Sequence, residues 1–284
     1  MSHPDYEMHS SRVLFKNAHE LCAYALEASK QLAHRWGKSF DSCVVAGSGV
    51  SASLTDWETV QSIDTTELTG FSASTVQGHR NRVAWMRKDG RDVLVFHGRR
   101  HVYEGASLLQ VVLPVVLARC LGVGHCILTN AAGGMNPKFV AGDIMLADDL
   151  VNATGRLVCL SDATKTPLID TNWVLRIEGM YRQHSQPMAA TVHRGVYVSV
   201  LGPSYETRSE VRMFGRTADA VGMSTIHEAQ TACQLGMSVV AVSVISNTLH
   251  EAPTAKLTHD EVLDVAAQSA ADVGSVIGYA LQTC

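Results

Sequence analysis

Six clusters of small and polar residues, each following an apolar run, carry the chemically capable side chains of this 284-residue chain. They are Gly47-Ser48-Gly49, His97-Gly98-Arg99-Arg100-His101, Asn130-Ala131-Ala132-Gly133-Gly134, Gly202-Pro203-Ser204-Tyr205-Glu206, Gly222-Met223-Ser224-Thr225 and Ser246-Asn247. Glycines let backbone N–H groups approach an oxyanion, and Ser48 adds a hydroxyl donor. Arg99 and Arg100 carry planar donor forks that match phosphate, with one expected to face a site and the other to face away. Glu206 and Asn247 pair a carboxylate with a carboxamide, a combination that can read a heterocycle offering both donors and acceptors.

Taken singly, each feature has a plainer reading. Gly47-Ser48-Gly49 is a tight turn, the arginines are a solvated loop pair, and Met223 is core. Glu206 is a favourable charge opening a helix, and Asn247 is a turn residue. Gly47-x-Gly49-x-x-Ala52 also matches the dinucleotide fingerprint, with Glu67 at a suitable distance for a ribose. That motif needs a βαβ unit, whereas residues 65–98 read as a loop and a hairpin. His97 and His101 have the spacing of a helical metal pair, but Gly98 and the preceding strand argue against a helix, so no metal site is expected.

The elements that must position these clusters alternate along the chain. Helical spacing runs from Asn17 to Trp36 (Leu21, Ala25, Leu32) and Gly37 closes it. Ser42–Ala46 reads as a strand. Val83–Met86 and Val93–Phe96 flank Lys88-Asp89-Gly90, a hairpin signal. Glu104–Leu121 reads as a buried helix, Cys126–Thr129 and Asp143–Val151 as strands. Residues 153–187 give a loop-like signal with one helix around Trp173–Tyr181. Val196–Val200, Ala220–Gly222 and Ser238–Ile245 read as strands, and Glu206–Phe214, Thr225–Leu235 and Thr258–Leu281 as helices. The expected fold is α/β: residues 1–284 as a single domain with a mixed central β-sheet flanked by helices. Ligands of such folds sit beyond the carboxyl ends of the strands, so the six clusters are expected to converge on one cleft.

Composition narrows the function classes. Hydrophobic residues make up 46% and charged residues 18%, a globular balance. A formal net charge of −4 leaves no basic excess for a nucleic-acid backbone. Seven scattered cysteines, an odd number with no Cys-x-x-Cys pair, argue against a disulfide framework or zinc knuckle and for a reducing, cytoplasmic setting. Met1–Glu7 shows no cationic stretch leading into an apolar run, so no signal peptide is expected. The apolar run Leu108–Leu121 is broken by Gln110, Pro114 and Arg119, and no membrane span is expected.

In this order, the clusters resemble the trimeric purine nucleoside phosphorylases, the family of the mammalian 6-oxopurine enzymes. Gly47-Ser48-Gly49 looks like the first phosphate loop. Ser74-Thr75-Val76-x-Gly78-His79 is similar to the Ser-Thr-Val-x-Gly-His segment, and Gly98-Arg99-Arg100-His101-Val102-Tyr103-Glu104-Gly105 to Gly-Arg-x-His-x-Tyr-Glu-Gly. Thr129 to Pro137, Gly202 to Thr207 and Val221 to Thr225 match further signatures. Each motif is modest alone; all of them in order are highly specific.

The resemblance implies that inorganic phosphate, a co-substrate rather than a cofactor, attacks C1′ of inosine, guanosine or their deoxy forms. The products would be free base and (deoxy)ribose 1-phosphate, in purine salvage. It implies phosphate held by Ser48, His79, Arg99, His101, the Ala131 N–H and Ser224. Tyr103 and Met223 would hold the ribose, Tyr205 would pack on the base, and His259 would reach the 5′-hydroxyl. Glu206 would accept from purine N1–H and Asn247 donate towards N7 and O6, with Asn247, Glu206 and His101 as the catalytic set. Asn247 favours 6-oxopurines, since relatives acting on 6-aminopurine nucleosides tend to carry Asp there. A homotrimer is also implied, with no cofactor, metal, nucleic acid or membrane partner. Thr248, where the mammalian enzymes have Lys, and His227 and Gln230-Thr231-Ala232-Cys233 depart from the family pattern. So does the short 153–187 region, where Trp173 is the one candidate for a missing aromatic. Alternatives are a methylthioadenosine or broad-specificity phosphorylase, or a nucleoside-binding protein without catalysis.

Overall fold

The computed structural model describes residues 12–14, 18–76, 81–160, 167–184, 189–249 and 259–284. Eleven strands occur among them: β1 Arg12–Leu14, β2 Ser42–Ala46, β3 Glu58–Asp64, β4 Arg82–Lys88, β5 Arg91–His97, β6 His125–Gly134, β7 Ile144–Asn152, β8 Leu157–Cys159, β9 Val192–Ser199, β10 Ala220–Gly222 and β11 Ser238–Thr248. The helices are α1 Ala18–Trp36, α2 Leu108–Cys120, α3 Thr171–Gln183, α4 Arg208–Phe214, α5 Ile226–Gln234, α6 His259–Gln268 and α7 Ala270–Thr283.

Nine strands form one mixed sheet in the order β10-β9-β7-β11-β6-β2-β5-β4-β3, while β1 and β8 pair separately. β10 also pairs antiparallel with β6, through Ala220↔Gly134 and Val221↔Gly133. Strands β6, β11, β7, β9 and β10 therefore close into a ring, and β2, β5, β4 and β3 extend from it as an open wing. β6 belongs to both. Its last residues can turn towards β10 because they lack side chains: a Cβ on Gly134 would lie 2.8 Å from Ile245 Cγ2.

Local sequence explains most elements. β2 is buried along its whole length between parallel neighbours β5 and β6, which suits its Cys-Val-Val-Ala run. The β4–β5 hairpin turns on Asp89 and Gly90, both at positive φ (49° and 77°), the two-residue turn whose twist matches the strands. α1 buries Leu21, Ala25, Ala28 and Leu32 and ends at Gly37, φ +58°. α2 starts from a Ser107/Gln110 capping box, is buried on nearly all sides, and packs against α1 and α5. No helix among the described residues is long and apolar enough to cross a membrane.

Several expectations need correction. The strand expected at Cys126–Thr129 continues through Asn130-Ala131-Ala132-Gly133-Gly134, because pairing with β11 and then β10 carries the backbone on. Asn247 lies inside β11 rather than in a turn after it. The closing helix is two, α6 and α7, parted at Ser269. α2 begins at Leu108, after a short 3-10 turn at Val102–Glu104. β3 is an additional antiparallel edge strand, poorly buried and so without an apolar pattern. The segment after Gly49 is a 3-10 turn, Val50–Leu54, not the helix a dinucleotide site needs, and Glu67 pairs instead with Arg35 at 3.2 Å. Trp173 is fully buried, donates to Ala280 O at 3.0 Å and packs edge-on to His125, so it is core.

Candidate active site

All six clusters line one cleft of about 700 Å³, counted to its open mouth, and each contributes: Ser48, Arg99, Ala131, Glu206, Ser224 and Asn247. Ten of the twelve candidate residues meet there, with His101, Tyr103, Tyr205 and Met223 completing the ten. His79 falls in residues 77–80, outside the described residues. His259 opens α6, but its side chain is likewise outside them. α6 reaches the cleft through Val262. It also presses on the first loop: Gly49 is at φ +75°, and a Cβ there would sit 2.3 Å from Ala266 Cβ.

The first loop is fixed from behind. A Cβ on Gly47 would lie 2.6 Å from Thr129 O, so only glycine lets the chain pass this close to β6. Gly47 N donates to Thr129 Oγ1 at 2.9 Å, and that hydroxyl donates to Val45 O at 3.0 Å.

Arg99 is the buried cation of the site, 4% exposed. It donates through Nη1 to Ser224 Oγ and through Nη2 to Val45 O, both at 3.1 Å. Its Nε lies 3.2 Å from Glu228 Oε1. Arg100 turns the other way and donates to Ala73 O in a neighbouring cleft. Ser224 is braced again through its carbonyl, which accepts from Ser199 Oγ at 2.9 Å and Tyr197 Oη at 3.3 Å. Gly222 makes room for that tyrosine, since a Cβ there would be 2.4 Å from Tyr197 Oη.

His101 is oriented by Glu104. One carboxylate oxygen lies 2.8 Å from His101 Nδ1 and accepts from the His101 backbone N–H at 2.8 Å. The same carboxylate accepts from Ser74 Oγ, Thr75 N and Thr75 Oγ1. Burial pushes the Glu104 carboxyl up, but hydrogen bonds from His101 and Thr75 outweigh it and hold it well below the usual carboxylate range. An ionised Glu104 makes Nδ1 the protonated ring nitrogen, so the ring is fixed in tautomer as well as direction. Tyr103 stacks on the imidazole at 4.8 Å, and burial first, then the Glu104 charge, pushes its phenol up to about 12, so it stays protonated.

The other corner of the cleft is less enclosed. Tyr205 is 48% exposed. Glu206 is half-buried, one residue before the Thr207 cap of α4, so Glu210 rather than Glu206 supplies that helix's N-terminal charge. Burial, with the Glu210 charge adding, pushes the Glu206 carboxyl up. Asn247 is aimed by a β-bulge: β11 pairs Ile245 with Ala132 but Asn247 with Gly133, leaving Ser246 as the extra residue. Ser246 Oγ lies 2.9 Å from Asn247 Oδ1 and 3.2 Å from Ala132 O.

Residues that the motif reading left without a role include Glu104, Glu228, Tyr197 and Ser199. Glu228 did have a signal: Thr225-x-x-Glu228 is a capping box, and its carboxylate accepts from Thr225 N at 2.9 Å. Tyr197 and Ser199 had none beyond strand alternation.

Comparison with known proteins identifies the family. Residues 44–282 match the model of the Phosphorylase superfamily. The chain is 34% identical over 252 residues to purine nucleoside phosphorylase 1 of Geobacillus stearothermophilus, covering 87% of this chain and 92% of the relative. It is 37% identical over 265 residues to purine nucleoside phosphorylase of Mycobacterium bovis, covering 89% and 93%. With the Rattus norvegicus enzyme of that name it shares 36% identity over 239 residues, covering 78% and 81%.

Proposed function

The chain belongs to the phosphorylase superfamily and, within it, to the purine nucleoside phosphorylases, and on that premise we propose that it cleaves 6-oxopurine nucleosides such as inosine and guanosine with inorganic phosphate. The products are the free base and ribose or deoxyribose 1-phosphate. The observation that carries this reading is one cleft in which Arg99 and Ser224, hydrogen-bonded to each other, open onto the same space as Glu206 and Asn247.

Arg99, Ser224, Ser48, His101 and Ala131 hold phosphate, with His79 at the rim. Tyr103 and Met223 hold the ribose, and His259 reaches its 5′-hydroxyl. Tyr205 packs on the base, Glu206 accepts from N1–H, and Asn247 donates towards N7 and O6. The glycosidic bond breaks ahead of full attack. The sugar becomes cationic and the purine anionic, so a phosphate dianion stabilises the first charge and the Asn247 donor the second. The chemistry needs only proton donors and a bound anion. A 6-oxopurine presents N1–H to the Glu206 carboxylate, whereas a 6-aminopurine presents a lone pair there, and such a mismatch is costly in a site built to hydrogen-bond. The assembly is proposed to be a homotrimer in the cytoplasm, readable by sedimentation and fractionation.

Ultraviolet detection of base release from inosine, with and without phosphate, tests the reading. Release indifferent to phosphate would remove phosphorolysis, and no release from any purine nucleoside would leave a binding protein. Guanosine, adenosine, xanthosine and methylthioadenosine in parallel decide the base.

A further inference from the structure

The Arg99 fork is anchored on three sides, and one anchor is shared. Nη1 reaches Ser224 Oγ and Nη2 reaches Val45 O, both at 3.1 Å. Nε lies 3.2 Å from Glu228 Oε1, with the two side chains 1% and 0% exposed. The N–H is off the line to that oxygen, so this contact is ionic rather than a formed hydrogen bond. The second oxygen, Oε2, accepts from Thr225 N at 2.9 Å. Thr225 directly follows Ser224 and sits at φ +81°, a region L side chains rarely adopt. Asn130 Nδ2 donates to its hydroxyl at 2.9 Å and helps keep it there.

One carboxylate therefore touches both donors of the anion corner: the guanidinium directly, and the Ser224 hydroxyl through the backbone that carries it. We propose that Glu228 is a positioning residue for phosphate, holding the Arg99 fork and the Ser224–Thr225 turn in register so that both address one anion. The proposal rests on the phosphorolytic reading of this cleft.

The charge of Glu228 makes the sign of its effect decisive. As a counter-charge, the carboxylate weakens the pull of Arg99 on an anion, so by electrostatics alone its removal would tighten phosphate binding. As a positioning group, its removal releases a buried guanidinium from its fixed direction and unties the strained turn, and phosphate binding weakens. A purely structural role would lower stability and leave the two substrates equally affected.

Glu228→Gln keeps the size and an acceptor for Thr225 N but removes the charge, and Glu228→Asp keeps the charge but shortens the reach. The full-length chain should show a phosphate KM raised about tenfold or more in the Gln variant and less in the Asp variant, with nucleoside KM within about twofold, as expected for small misplacements of a binding group. Calorimetric Kd for inorganic phosphate should rise in step. A phosphate KM and Kd unchanged or lowered would overturn the proposal, as would equal rises for both substrates. If the Gln variant fails to fold, the Asp variant carries the same readings. Base release by the unaltered chain that ignores phosphate would break the phosphorolytic reading alone, because the calorimetric titration still decides whether Glu228 shapes an anion site. Absence of phosphate binding by the unaltered chain would overturn both.

Discussion

The Arg99 corner and the Glu206 corner of the same cleft are built in opposite ways. At the first, Arg99, Glu228 and Thr225 are buried, and each is tied to at least one other by a hydrogen bond or ion pair. Thr225 is held at φ +81°, an arrangement costing about 1–3 kcal/mol that its surroundings sustain. At the second, Tyr205 is 48% exposed, Glu206 is half-buried, and Asn247 leans on the serine beside it. Under the proposed function, with phosphate at the first corner and the purine at the second, the difference follows from the ligands. A phosphate is small, of fixed shape and charged, so preorganised, desolvated donors serve it best. A purine is large and must pass through a mouth, so its side of the cleft stays open.

The sharpest way to break this contrast is Arg99→Ala. It should lower kcat/KM for phosphate by about 10²–10³, and more than it raises the nucleoside KM. Because it leaves Glu228 buried without its partner, it should also cost about 3–5 kcal/mol of stability in urea unfolding. Comparable losses for both substrates with an unchanged urea midpoint would mean the corner is not over-determined. Asn247→Asp probes the open corner. Inosine cleavage should fall by about 10²–10³ with loss of the N7 donor, and discrimination against 6-aminopurines should relax. The melting temperature should not move, and unchanged base discrimination would show that Asn247 does not read the base.

A smaller effect sharpens the comparison through pH. The Glu206 carboxyl is raised, chiefly by burial, so protonation removes its acceptor at a higher pH than it would for a freely exposed glutamate. The pH profile of kcat/KM for inosine should show an acid limb there. Glu206→Gln should erase that limb and lower the plateau by roughly 10–100-fold, the worth of a hydrogen bond to a charged group. A limb that survives the substitution belongs to another group.

The smallest expected effect on catalysis is at His227, on α5 behind the Arg99 corner. Burial pushes its pKa down from 6.5 to about 4, with the Arg156 carbonyl opposing and the Arg156 charge assisting. The folded state therefore holds it neutral while the unfolded chain binds a proton near 6.5. Its contribution is full above pH 6.5 and is lost as pH falls from there towards 4, at up to about 1.4 kcal/mol per unit. His227→Gln should flatten that acid loss in thermal melts while leaving phosphate KM within about twofold. An unaltered acid slope would assign the loss elsewhere.

The motif residues were legible because their types are unusual where they stand. Arg99 and His101 after an apolar strand, and Gly47 and Gly49 around a serine, are each open to a plainer reading, but taken together and in order with the other clusters they point to an anion site. The braces were not legible, because a brace is defined by what it touches. Glu228 reads in sequence as an ordinary capping-box acid, and its Oε1 meets Arg99 only because the fold brings the first turn of α5 within reach of the loop that follows β5. Trp173 shows the converse. Its place in a departing region suggested a site aromatic, but α3 turns it into the core against Ala280 and His125.

By itself, the sequence determined the alternation of strands and helices, the hairpin at Asp89-Gly90, and the six clusters with their preference for an anion and a heterocycle. These depend on local propensity and residue chemistry, which act over a few positions. Only the tertiary structure decided that β6 runs on through its glycines to close the ring with β10. It alone decided that a bulge at Ser246 turns Asn247 into the cleft, and that Glu228 joins Arg99 to the Ser224–Thr225 turn. Strand closure, bulge register and a buried ion pair are agreements between segments distant in the chain, and local sequence cannot specify the partner that completes them.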